Sequence, residues 1–262
     1  MLKDLFSLQG RVALVTGGSR GIGRMIAEGF LNYGAKVYIS SRKIAQCDAA
    51  AEELSAHGTC ISLPQDVSTV EGCRALAARI SALEPKLDIL VNNAGAAWGA
   101  PFGTFPESGW DKVMNLNLKS PFFLIQALQA ALEASGTAAR PAKVINIASI
   151  DGIRLNADET YSYHASKSAL IYLTRRLAAD LIAKHIVVSC IAPGAFASDM
   201  NRAARDNGEA VAKYIPQGRI GTDEDMAAAA IYLASRAGDY VVGATIPVDG
   251  GVSMASLSLG QV

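Results

Sequence analysis

Seven short runs rich in Val, Ile and Leu recur along the chain, separated by longer Ala-rich stretches. They are Val12–Thr16, Lys36–Ser40, Thr59–Leu63, Leu87–Val91, Lys143–Ala148, Ile186–Ile191 and Ala244–Val248. Most are continuously apolar rather than alternating, the pattern of strands covered on both faces. The stretches between them, Ile22–Tyr33, Gln46–Ala56, Val70–Leu83, Gly109–Glu133, Ser162–Lys184 and Glu224–Arg236, carry helical periodicity. Strand and helix taken in turn along the whole chain predict an α/β protein. Its core is a doubly wound parallel sheet of about seven strands with helices on both faces. No boundary interrupts the pattern, so residues 1–262 read as a single domain. The loops expected are 135–142 and the polar, mixed-charge segment 195–216. The uncharged tail 253–262 is expected to pack on its own subunit or on a neighbour.

The first run leads into Thr16-Gly17-Gly18-Ser19-Arg20-Gly21-Ile22-Gly23, which opens a helix. Glycines at 17, 21 and 23 permit a tight turn and close backbone approach to a pyrophosphate, and the helix N-terminus supplies free N–H donors. Glycines also end strands for structural reasons alone; the strand before and the helix after give this set its meaning. The reading is a Rossmann fold that binds a dinucleotide. At the end of the second strand, a carboxylate would hold a ribose 2′-hydroxyl. This chain has Ser40-Ser41-Arg42-Lys43 instead, a hydroxyl and two cations suited to a 2′-phosphate, with Arg20 reaching it from the glycine loop. The cofactor expected is therefore NADP(H). The bland alternative makes Arg42 and Lys43 solvated charges at a helix start.

Composition removes several other classes. Lys plus Arg and Asp plus Glu number 24 each, which gives no basic excess for nucleic acid. The four cysteines, Cys47, Cys60, Cys73 and Cys190, have neither CxxC nor Cys/His ligand spacing, so no metal site is expected and reduced thiols fit best. No stretch approaches the roughly 20 apolar residues of a membrane span, and no apolar leader opens the chain. A soluble cytoplasmic protein with a small-molecule substrate is the expectation.

Tyr163 and Lys167 lie four apart in a helical pattern and share one face. A nearby ammonium stabilises a phenolate and lowers the phenol pKa, which lies near 10 in water. The pair alone is commonplace. Its weight comes from the company it keeps: Asn92-Asn93-Ala94-Gly95 after the fourth strand, Ser149 after the fifth, and Tyr163-His164-Ala165-Ser166-Lys167. Asp66-Val67 after the third strand, Pro193-Gly194 after the sixth and Asp249-Gly250-Gly251 near the end complete the series. With the glycine loop, this set resembles the short-chain dehydrogenase/reductase family over nearly the whole chain.

The resemblance implies a role for each matching position. Tyr163 would be the general acid in reduction and the base in oxidation, and Lys167 would hold the nicotinamide ribose and depress the tyrosine pKa. Ser149 would hydrogen-bond the substrate oxygen, and Asn117, in Asn117-Leu118-Lys119-Ser120, would hold a water linking Lys167 to solvent. Gly17, Ser19, Arg20, Gly21, Ile22, Gly23, Ser41 and Arg42 would bind the phosphates. Asp66 and Val67 would meet the adenine, and Asn93, Ala94 and Gly95 would pack beside its ribose. Pro193, Gly194 and Ser198, the last a serine where the family usually has threonine, would cover the nicotinamide. Family members usually form tetramers, so a homotetramer is implied.

Within the family the chain is most similar to the 3-oxoacyl reductases, which implies an acyl thioester substrate. Arg154, Asp158 and Glu159 depart from that expectation and would suit a polyol, sugar acid or other secondary alcohol. A non-catalytic NADP(H)-binding regulator on the same fold is a further alternative, opposed by the intact set Asn117, Ser149, Tyr163 and Lys167. Trp98, Phe102, Phe105 and Trp110 offer an apolar substrate entrance, though Trp110 reads equally as helix core. His164 reads as structural, His57 and His185 carry no motif, and Cys190 reads as core.

Overall fold

The computed structural model describes residues 4–255. Its centre is a sheet of seven strands: β1 (Val12–Thr16), β2 (Lys36–Ser40), β3 (Cys60–Ser62), β4 (Ile89–Asn92), β5 (Ala142–Ile147), β6 (Ile186–Pro193) and β7 (Thr245–Val248). They lie in the order β3-β2-β1-β4-β5-β6-β7, and every pairing is parallel. The helices are α1 (Gly21–Asn32), α2 (Ile44–Leu54), α3 (Val70–Leu83), α4 (Glu107–Met114), α5 (Ser120–Ser135), α6 (Tyr161–Leu181), α7 (Arg202–Asp206), α8 (Gly208–Ala212) and α9 (Asp223–Ala234).

Strand periodicity divides the apolar residues between two cores. Ala13 and Val15 of β1 and Val37 and Ile39 of β2 face the layer of α1, α2 and α9. Their neighbours Leu14 and Tyr38, with Leu90, Val144 and Val188, face the layer of α3, α5 and α6. This two-sided burial explains why the strands are continuously apolar. Chain order reverses between β1 and β4, so the carboxyl ends of those strands leave a crevice, the usual ligand position in open α/β sheets.

The seven expected strands all form, with ends unchanged at β1 and β2 and shifted by a residue or two at β3 to β7. The expected helix over 109–133 is two helices joined by a π-turn at Asn115–Lys119. Pro121 has no N–H to offer the carbonyl of Asn117 four residues earlier, so the α-helical ladder fails at that point. Segment 195–216, expected as loop, holds the short helices α7 and α8. Of the expected packed tail, Ser253 is held by the Asp249 carboxylate, its N–H at 2.7 Å and its hydroxyl at 2.6 Å, while Met254 is exposed. Residues 256–262 lie outside the described residues. Among those described, no helix is long and apolar enough to cross a membrane.

Candidate active site

A cavity of about 430 Å³ opens at the carboxyl ends of β1 and β4. The turn between β1 and α1 forms its floor. Gly17 has φ +66° and Gly21 φ +51°, left-handed values that favour glycine. Gly23 stands behind the loop rather than on the cavity wall, where a Cβ would run into the Gly17 carbonyl and the Asn93 amide. Gly17, Ser19, Arg20, Gly21 and Ile22 all reach the cavity.

Asn93 lines the cavity, and its amide nitrogen donates to the carbonyls of Thr16 at 2.9 Å and Gly17 at 3.2 Å, so it also clamps the glycine loop to the end of β4. Thr16, missed in the sequence reading, completes the clamp. Its hydroxyl donates to the Val91 carbonyl and accepts from the N–H groups of Asn93 and Ala94, each at 3.0 Å. Ala94 and Gly95 line the adjoining wall.

At the end of β2 the buried hydroxyls of Ser40 and Ser41 have no hydrogen-bond partner among the described residues. Ser41, Arg42 and Lys43 line the cavity there, and the two cations are exposed. Orphaned hydroxyls beside unpaired cations fit a phosphate group. Arg20 lines the cavity too, its guanidinium paired with Asp199 at 2.5 Å, and Asp199 also accepts from Arg205 at 2.6 Å. A phosphate would therefore compete with Asp199 for Arg20. Asp66 and Val67 both line this end, but one Asp66 oxygen accepts from the Ser68 N–H at 2.9 Å in a local turn.

At the other end stand Ser149, Tyr163 and Lys167. Ser149 follows β5 and caps the short 3-10 turn Ile150–Gly152, its hydroxyl accepting from the Asp151 N–H at 3.1 Å. Lys167 is buried, with Nζ donating to the Ile147 carbonyl at 2.7 Å and 5.5 Å from the centre of the Tyr163 ring. The expected depression of the tyrosine is not found in this state. Burial pushes the Tyr163 phenol up to about 12; Ser149 pulls it back only partly, and the negative charge of Asp151 adds to the rise. Burial likewise pulls Lys167 down to about 8, against upward contributions from Cys190 and Asp151. With its charge disfavoured, the ammonium has little leverage on the phenol.

Asn117 lies behind this wall. Its carboxamide accepts from the Ala96 N–H at 2.8 Å and donates to the Ala96 carbonyl at 2.9 Å and to the Ser166 hydroxyl at 3.1 Å. Both amide hydrogens are thus committed, and the side chain ties the segment after β4 to α6. Pro121 has no N–H to bond the Asn117 main-chain carbonyl four residues earlier.

Pro193 and Gly194 cover the cavity from the end of β6, and Ser198 lies above Gly21, its hydroxyl accepting from the Asn201 N–H at 3.1 Å. Of the departing segment, Asp158 borders the cavity, whereas Arg154 and Glu159 do not. The aromatic entrance also changes. Trp98 packs over Gly109 under the Lys112 ammonium, away from the cavity, while Phe102 and Phe105 stand edge-on to Tyr161, each 5.7 Å between ring centres. His164 bonds Thr160 within its own helix turn. Cys190 is core, its thiol pushed up to about 11 by burial.

The family model that matches, over residues 17–253, is described as enoyl-(acyl carrier protein) reductase. The chain is 50% identical over 249 residues, 94% of its length and 97% of the relative's, to the rhamnolipids biosynthesis 3-oxoacyl-[acyl-carrier-protein] reductase of Pseudomonas aeruginosa. It is 39% identical over 259 residues, 96% and 98% of the two chains, to the 2-dehydro-3-deoxy-D-gluconate 5-dehydrogenase of Dickeya dadantii. Among solved structures, the Pseudomonas aeruginosa RhlG/NADP active-site complex superposes with TM-score 0.93 at 49% identity, covering 95% of this chain and 99% of that one.

Proposed function

This chain belongs to the short-chain dehydrogenase/reductase family, and from that premise we propose that it reduces the 3-oxo group of an acyl thioester with NADPH. The observation that carries the reading is the convergence of Ser149, Tyr163 and Lys167 on one end of the cavity, with the phosphate-binding features at the other. The cofactor, when bound, supplies the hydride. Everything else falls to the protein. Tyr163, held as neutral phenol, is poised to give its proton to the substrate oxygen as negative charge develops there. Ser149 is placed to hydrogen-bond the same oxygen. Lys167 is anchored by Ile147 with two of its three hydrogens free for cofactor hydroxyls. Ser41, Arg42 and, once released from Asp199, Arg20 would hold the 2′-phosphate.

A second reading, oxidation of a polyol or sugar acid, is favoured by the gluconate-type relative, and the polar Asn201 on the cavity wall suits a hydroxylated substrate. Exposed Trp110 on α4 and Tyr161 and Tyr172 on α6 support assembly into a homotetramer through these helices. Free cysteines suit a reducing cytoplasm.

The test is NADPH consumption with acetoacetyl-CoA, longer 3-oxoacyl thioesters, simple ketones and keto sugars, with Tyr163→Phe as control. Thioester reduction that the variant loses by a factor on the order of 10² or more, with cofactor binding kept, is expected. Activity on small polar ketones alone would overturn the thioester reading, and an undiminished Tyr163→Phe would overturn the role of the phenol.

A further inference from the structure

The cavity is electrically polarised along its length. Arg42 and Lys43, outnumbering Asp66, border the end that follows β2, while Asp151 and Asp158 border the end that holds Ser149 and Tyr163. Of the remaining cations on the wall, Arg20 is paired with Asp199, and the buried Lys167 ammonium spends one hydrogen on the Ile147 carbonyl and keeps the other two for the cofactor hydroxyls. Arg154, the one cation of segment 153–160, does not reach the cavity. Asp151 has one oxygen accepting from the Asn156 amide at 2.9 Å, and neither it nor Asp158 has a salt-bridge partner among the described residues. Its charge is felt at the reacting groups, since it raises the pKa of both Tyr163 and Lys167.

A carboxylate on the substrate, one or two bonds from the reacting carbonyl, would enter this negative end, where the one cation, Lys167, is anchored to Ile147 and directed to the cofactor hydroxyls. In a cavity that excludes part of the water, one like charge several ångströms away is worth about a tenfold discrimination. A thioester carbonyl carries no charge there, and the phosphates of a pantetheine arm lie at its far end.

We propose that Asp151, backed by Asp158, is a charge filter that determines substrate class: it rejects oxo acids and sugar acids and admits neutral 3-oxo thioesters and ketones. The proposal rests on the carbonyl-reductase reading and separates the two substrate classes that the family contains. Asp151 and Asp158 act through their charge and take no part in proton transfer.

The experiment compares kcat/KM, at saturating NADPH, for the neutral N-acetylcysteamine thioester of acetoacetate, for acetoacetate itself and for 5-ketogluconate. The readout is the anionic-to-neutral ratio, from which general losses of activity or stability cancel. Asp151→Asn is expected to raise that ratio about tenfold, Asp158→Asn to raise it less because Asp158 is exposed, and the charge-preserving Asp151→Glu to leave it near the wild-type value. Added salt should raise the wild-type ratio as it screens the carboxylates. A ratio that neither asparagine variant nor salt moves, in an enzyme that reduces the thioester, overturns the filter alone. Wild-type inactivity on all three compounds overturns the reductase reading and the filter with it.

Discussion

Lys167 Nζ donates to the carbonyl of Ile147, at 2.7 Å, and stands 5.5 Å from the centre of the Tyr163 ring. The bond joins α6 to the end of β5, so the lysine is positioned by the sheet as well as by its own helix. Burial leaves its affinity for a proton near neutrality, at about 8, while the phenol it faces is raised to about 12.

The pH profile of reduction should follow the lysine. Below about pH 8 Lys167 is charged and Tyr163 protonated, so kcat/KM, which reports groups of the free enzyme, is expected to be level between pH 6 and 7.5. A falling limb is expected near pH 8 as the ammonium is lost. Lys167→Arg, whose guanidinium does not titrate in this range, should move the limb upward. An unchanged limb in that variant would assign it to another group.

Lys167→Met should stabilise the fold while removing activity. The ordinary lysine value of 10.5 falls to about 8 on folding, so the unfolded chain holds its proton more tightly. Below pH 8 both states are charged and the folded state bears the full cost of the buried ammonium. Between about 8 and 10.5 the folded protein gives up the proton first, and wild-type stability rises with pH. Allowing for the lost bond to Ile147, the variant should gain about 2 kcal/mol at pH 7 and lose that advantage towards pH 10.5. Thermal or urea unfolding at pH 7 and pH 10 measures both. A variant less stable than wild type at pH 7 would show that the carbonyl bond outweighs the buried charge.

Arg42→Asp should change cofactor choice. Placing a carboxylate beside the unpartnered Ser41 hydroxyl repels a 2′-phosphate and suits a 2′-hydroxyl. NADPH affinity is expected to fall by roughly tenfold or more, with NADH affinity kept or improved. Titration of intrinsic cofactor fluorescence reads both constants, and equal losses would remove Arg42 from the phosphate site.

Short-range physics made much of this protein legible in advance. Continuous apolar runs of strand length, interrupted by helical periodicity, can be buried only between two helical layers, which fixed the doubly wound sheet. The glycine loop and the Ser41-Arg42 ending of β2 are likewise local, since backbone freedom and side-chain charge belong to the residues themselves. Even the break in the long helix at Asn117 was written in Pro121, although the periodicity across it looked continuous.

What the tertiary structure decided depends on residues far apart in the chain. Arg20 meets Asp199, Asn93 grips the loop at Gly17, Asn117 binds Ala96, and Trp98 turns away from the cavity it was expected to border. Tyr163 and Lys167 were identifiable four residues apart, but their proton affinities were not. The sequence places an ammonium within a helical turn of a phenol and so suggests mutual stabilisation of charge; folding buries Lys167 and half-buries Tyr163, and the loss of hydration outweighs that attraction. Spacing along a helix is fixed by the chain, whereas solvation is fixed only when the sheet, the loop after β4 and the turn holding Asp151 close around it.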